Sequence, residues 1–182
     1  MIFSLRLLGP VALRRGSSLL PLPTQKAQAL LVLLALGGTA PRARIAAWLW
    51  PELDDSSARR NLRRELARLR DAGATELLLA EGETLALAAT LHCDALQFQR
   101  QAPHDPEAAL ALWLGPPADG LQLEGAAAFA DWLQAERTLL VALRHGALRG
   151  AAAAHHAPGR PAAALARLPV LLAAYPLPEQ AH

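Results

Sequence analysis

Six arginines crowd the segment from Ser56 to Gly73, at positions 59, 60, 63, 64, 68 and 70, and Glu65 is the sole acid between Arg59 and Arg70. A guanidinium group is planar, permanently charged and rich in donors, so its chemistry is the bidentate grip of phosphate oxygens and guanine edges. The spacing gives that chemistry a direction. At 3.6 residues per turn, Ala58, Leu62, Leu66 and Leu69 fall in one narrow apolar stripe and Arg60 and Arg64 point away from it. Arg59 and Arg63 flank the stripe on one side, Arg68 and Asn61 on the other. A helix over 57–72, anchored on one face and cationic on the rest, suits the major groove of DNA. Arg60 and Arg64 are the candidates for base edges, and Arg59, Arg63 and Arg68 for phosphates. Asn61 reads adenine or, as Asn near a helix start often does, bonds locally. Lys26, Arg42 and Arg44 lie near the starts of two preceding helices, where N–H groups and cations meet a nucleic-acid backbone, and they join the phosphate set. For every one of these cations a merely solvated surface is the plain alternative.

Other chemistries lack their residues. His92, Cys93 and Asp94 are adjacent and cannot easily converge on one ion, and His155-His156 fares no better. Lys26 is the single lysine, with no Gly-rich run before it, so a phosphate-binding loop is excluded. No Gly-x-Ser-x-Gly occurs, and the carboxylates fall in turns and caps. The expectation is no catalytic residue, no metal and no cofactor. Cys93 is alone, so no intrachain disulfide forms, which fits a reducing compartment. The longest apolar run, 29–36, is far short of the ~20 residues a bilayer span needs. Arg6, Arg14 and Arg15 interrupt any signal-peptide pattern. A cytoplasmic protein without membrane contact is expected.

The elements that must position the arginines follow from periodicity and punctuation. Residues 2–8 alternate as a half-buried strand, Gly9-Pro10 breaks it, 11–14 resumes it and 19–22 follows a turn at Arg15-Gly16, giving a small antiparallel sheet. Thr24 caps a helix over 25–36, apolar around nearly its whole circumference and therefore central; Gly37-Gly38 ends it. A second helix runs from Pro41 to Trp50, with Ile45, Trp48 and Leu49 inward and Pro51 as its stop. Asp54, Asp55 and Ser56 cap the Arg-rich third helix and Gly73 closes it. Strands over 76–80 and 84–88 around Glu81-Gly82-Glu83 read as a hairpin. This order is that of a winged helix, with helices two and three as the helix-turn-helix. Beyond residue 94 only helices are expected: 94–101, 106–114, a long one over 125–155 with Phe129, Trp132, Leu133, Leu139 or Leu140, and Leu143 at helical spacing, and a last one over 161–175. A loop spans 115–120, and the four tryptophans at 48, 50, 113 and 132 are expected in the core. Charge divides the same way. Residues 1–75 hold 12 Lys+Arg against 5 Asp+Glu, whereas 103–182 hold 5 against 7. The fold class expected is therefore α+β: an N-terminal winged helix over 1–92, then an all-α, tetratricopeptide-like domain over 93–182.

An ordered series of residues resembles a known family. Leu5 through Leu13, Gln25-Lys26 with 29–36, Arg44-Ile45 through Pro51, 57–62 and 66–70 are similar to the N-terminal region of SARP-type bacterial regulators, an OmpR-type winged helix joined to a bacterial transcriptional activator domain (BTAD). The second half contributes 111–115, Gly120-Leu121, Phe129, Trp132-Leu133, Glu136-Arg137 and Tyr175-Pro-Leu177. The resemblance implies a sequence-specific DNA-binding activator of transcription, partnered by double-stranded DNA and assembling as a homodimer or cooperatively on DNA. It also implies a contact with RNA polymerase through the loop bearing Glu52, Asp54 and Asp55, which otherwise serve as helix caps. Larger family members continue beyond the equivalent of His182, so this chain corresponds to a short member or a piece of a longer one. It departs from the pattern at the hairpin tip, where Glu81 and Glu83 stand without Lys or Arg, and at Pro169 inside the last expected helix. A second reading competes: a helical-repeat scaffold whose basic helix docks an acidic protein partner.

Overall fold

Alternation at the chain start produces strands, and their partners come from both near and far. The computed structural model describes residues 2–156. β1 (Phe3–Arg6) pairs antiparallel with β3 (Ala12–Arg15), and β3 with β4 (Ser18–Leu20), so that Phe3, Leu5 and Leu13 face the core. The sheet is not wholly antiparallel as expected. β8 (His92–Cys93) lies parallel to β1, with Cys93 opposite Leu5. Parallel pairing needs a long crossover, and two residues with no alternation of their own gave no local sign of it.

α1 (Gln25–Gly37) runs where Thr24 caps it, the threonine hydroxyl accepting the Ala27 N–H at 3.0 Å. Ala27 and every residue from Ala29 to Ala35 are buried, which makes α1 the central element. β5 (Ala40–Pro41) leads into α2 (Arg42–Leu49), and a turn leads to α3 (Asp55–Leu69). α3 starts and stops earlier than the expected 57–72. The Asp54 carboxylate accepts the N–H groups of Ser56 and Ser57, which makes Asp54 the cap and Asp55 the first helical residue. At the far end the helix widens into a π turn, Arg70–Ala74, where Gly73 takes φ 99, so Arg70 lies beyond the regular helix. The hairpin forms as β6 (Leu78–Glu81) and β7 (Thr84–Leu87) about Gly82-Glu83, and β5 pairs with the outer side of β7.

α4 (Asp94–Gln101), α5 (Pro106–Ala111) and α6 (Ala127–His156) follow. Two corrections arise here. α5 ends before the expected Leu114, and the supposed loop after it contains β9 (Pro117–Asp119), which pairs parallel with β2 (Gly9–Pro10). The Gly-Pro-Pro sequence hides a strand whose partner lies a hundred residues away. The Leu114 and Ala118 N–H groups donate to the carbonyls of Leu8 and Leu7, at 3.1 and 2.7 Å. The core is continuous across both halves. Phe98, Phe129, Leu133 and Leu140 are buried, whereas Leu139 is exposed. Of the tryptophans only Trp50 is fully buried; Trp48, Trp113 and Trp132 are half-buried. The arrangement is mixed α+β, as expected. The expected features over 157–182, including Pro169, lie outside the described residues.

One residue holds β9 in place. The Arg137 guanidinium donates to the carbonyls of Pro117, Ala118 and Leu121, at 2.9, 2.7 and 3.3 Å. Burial pushes its pKa down from the ordinary value. Ala118 sits at φ 49, a left-handed conformation costly for alanine, so the clamp also holds a strained turn. Arg137→Ala is expected to cost about 2–3 kcal/mol, the scale of charged hydrogen bonds lost together. Arg137→Lys should recover only part, because an ammonium cannot span three carbonyls as the fork does. Urea unfolding of the three proteins measures both.

Candidate nucleic-acid interface

The arginine helix is anchored as its sequence pattern requires. Ala58, Leu62, Leu66 and Leu69 are all buried, and the exposed face carries Arg59, Arg60, Arg63, Arg64 and Arg68. At about 100° per residue the cations fan around the helix in the order Arg59, Arg63, Arg60, Arg64, Arg68, with Asn61 next. The surroundings split this fan into two sites.

The first is an open groove of ≈ 730 Å³ between the start of α3 and the hairpin turn. Arg42, Arg59, Arg60 and Arg63 line it, together with Asp55, Ser56, Gly82 and Glu83. Arg42 reaches it because its N–H donates to the Glu83 carbonyl at 2.8 Å, directly after the β5–β7 pairing. The second is a smaller recess of ≈ 230 Å³ bounded by Trp50, Asn61, Arg64, Glu65 and Arg68. Arg60 and Arg64, successive on the wheel, therefore serve different recesses.

The remaining expected cations stand elsewhere. The Lys26 ammonium donates to the Leu49 carbonyl at the end of α2 and lies 5.5 Å from the Trp50 ring. Desolvation lowers its pKa, with Glu52 opposing. Arg44 stacks its guanidinium 4.6 Å from the Trp48 ring, and Trp48 in turn meets Trp132 of α6 at 6.0 Å. Glu52 and Asp54 before α3 and Asp55, its first residue, are all exposed. Bonds from Ser56 and Ser57 hold the Asp54 carboxyl well below the usual carboxylate range, as a helix cap would be held.

Three residues to which the sequence assigned no role in the site shape it or its support. Glu65 is the one buried charged residue among those described, 5% exposed. Its Oε2 accepts the Thr24 hydroxyl at 2.7 Å and its Oε1 accepts from Arg68. The wheel held the signal, since Glu65 falls at the edge of the apolar stripe beside Ala58. Asp94 and Arg137, the other two, bond to distant backbone, which no local pattern reveals. Among the described residues no group of three or more His, Cys, Asp or Glu is placed to hold a metal ion. No helix there is long and apolar enough to cross a membrane.

Comparison with known proteins places this geometry. A search of curated proteins gives no match. Among solved structures, Mycobacterium tuberculosis EmbR in complex with a low affinity phosphopeptide is similar over 96% of this chain and 51% of that one, with a TM-score of 0.64 and 24% identity. The likeness is one of fold, and the chain spans about half the length of that protein. The family model of the bacterial transcriptional activator domain matches residues 83–182, starting within the hairpin turn. That match takes in more than half of the sequence and agrees with the resemblance carried by its residues: the chain belongs to the bacterial transcriptional activator domain family, a family of transcription regulators.

Proposed function

We propose that the chain is a sequence-specific DNA-binding regulator, an activator by family, in which α2 and α3 act as a helix-turn-helix and β6–β7 as its wing. The observation that carries this reading is the fan of exposed arginines on α3, opposite a fully buried stripe. A helix so fixed presents base-reading side chains at a constant depth, with α3 lying in the major groove. Arg60 and Arg64 address base edges, with Asn61 beside Arg64. Arg59, Arg63 and Arg42 address phosphates from the hairpin groove, and Arg68 does so from the recess. Lys26 and Arg44 address phosphates from the starts of α1 and α2. Residues 1–92 form the DNA-binding part and 93–182 the tetratricopeptide-like part, which supports a homodimer or cooperative assembly. The exposed Glu52, Asp54 and Asp55 offer RNA polymerase an acidic surface. The acidic tip, Glu81 and Glu83, favours the rival scaffold reading, because it brings no cation to a DNA backbone.

Selection from a randomised duplex pool decides between them. The chain should enrich one sequence and bind it more tightly than a scrambled duplex, with a log–log salt slope of about −4 to −5 for roughly five neutralised phosphates. Enrichment of no sequence, with equal affinity for both duplexes or none for either, would overturn the DNA reading and leave the scaffold.

A further inference from the structure

We propose that Glu65 is a positioning residue for DNA recognition, holding Arg68 at one fixed place on the phosphate backbone; this rests on the DNA-binding reading above. A carboxylate buried in the principal DNA-facing helix is costly to keep, because desolvation and its negative charge both oppose it. Its bonds give it a use. Thr24, the cap of α1, accepts the Ala27 N–H and donates to Glu65 Oε2, so one oxygen is tied to the central helix. The other oxygen accepts from the Arg68 guanidinium, one helical turn along α3. Arg68 remains half-exposed, its side chain 50% accessible against 7% for Glu65. One edge of the guanidinium is thus held by the protein while the rest faces the recess shared with Arg64 and Asn61.

An arginine restrained in this way has already lost the side-chain freedom that a free arginine surrenders on binding. Phosphate contacts carry no sequence information themselves, but they set the register in which the base-reading residues meet their targets. A rigid Arg68 therefore favours the one register of the specific complex. Complexes with unrelated sequence, which tolerate sliding, gain little from it. The restraint also runs through α1, so the register of α3 on DNA is tied to the centre of the fold.

The test uses the full chain, a duplex enriched by the wild-type protein, and a scrambled duplex. Glu65→Gln removes the charge and keeps the shape, and Glu65→Asp keeps the charge and withdraws the carboxylate. Positioning predicts that both lower the ratio of specific to non-specific affinity, by about tenfold for the Gln variant, the scale of one charge-assisted contact. Arg68→Ala should lower the ratio equally, and neither Glu65 change should lower it further in the Arg68→Ala background. Removal of a negative charge alone would instead tighten binding to both duplexes together. An unchanged ratio in both Glu65 variants overturns the proposal, even if their melting temperatures fall. So does a loss that persists without Arg68. A wild-type chain that enriches no sequence removes the DNA reading itself, a different result from a discriminating chain indifferent to Glu65.

Discussion

Replacing Arg60 and Arg64 together with alanine is expected to leave the chain folded and to abolish its choice between an enriched duplex and a scrambled one. Both side chains are exposed, and the buried stripe of α3 does not involve them. A good bidentate arginine–guanine pair is worth about 1–3 kcal/mol of discrimination. The double change should therefore cost roughly 2–6 kcal/mol on the enriched sequence, well beyond what loss of two charges costs on scrambled DNA. The two positions are not interchangeable. Arg60 belongs to the groove against the hairpin and Arg64 to the recess near Trp50, so each single variant should relax preference at a different base position. Competition binding against a panel of point-substituted duplexes reads this directly. Arg59→Ala and Arg63→Ala are the controls, weakening all sequences nearly alike. If discrimination survives the double change, the bases are read by other residues.

The second large effect is on stability. Asp94, the first residue of α4, receives the Leu7 and Ala95 N–H groups on one oxygen, each at 2.7 Å, and the Leu8 N–H on the other at 3.0 Å. Leu7 and Leu8 are fully buried, so their amides have little recourse to water once that acceptor is gone. Burial pushes the carboxyl pKa up, and the three N–H donors only partly offset this. An unsatisfied buried donor costs about 1–3 kcal/mol, so Asp94→Ala should lose about 3–4 kcal/mol. For a chain of this size that corresponds to a melting temperature lower by roughly 10 °C. Asp94→Asn is the sharper comparison. Its carbonyl can keep Leu7 and Ala95, but its amide would oppose the Leu8 N–H donor to donor. Calorimetry should place Asn between wild type and Ala; an Asn variant as stable as wild type would show that the second oxygen contributes nothing.

These two cases show what a sequence can and cannot disclose. The stripe on α3 was legible because Ala58, Leu62, Leu66 and Leu69 repeat at helical spacing and a helix has no other way to shelter them. Thr24, Gly38 and the Glu81–Thr84 turn were legible because caps and tight turns have few chemical solutions. Asp94 was not, since its partners lie 87 and 86 residues earlier, and a carboxylate at a helix start looks the same whatever it binds. β9 was hidden for the same reason, its Pro117 and Asp119 resembling a loop until Gly9 and Pro10 lie alongside. The division of the arginines into groove and recess depended on where the hairpin and Trp50 stand, which the wheel of a single helix does not contain.

The pairing of β8 with β1 and of β9 with β2 bears on how the molecule comes into being. Residues 3–10 are made well ahead of the residues they bond to, at 92–94 and 117–119. Until then β1 has only β3 beside it, and the Leu7 and Leu8 N–H groups lack the Asp94 carboxylate that accepts them. The arginine helix can gather on α1 early from near neighbours, whereas the second edge of β1, and β2, must wait for a closure across some ninety residues or more. The sheet around β1 and β2 is thus completed after the candidate reading head, once the start of the family-matched segment is made.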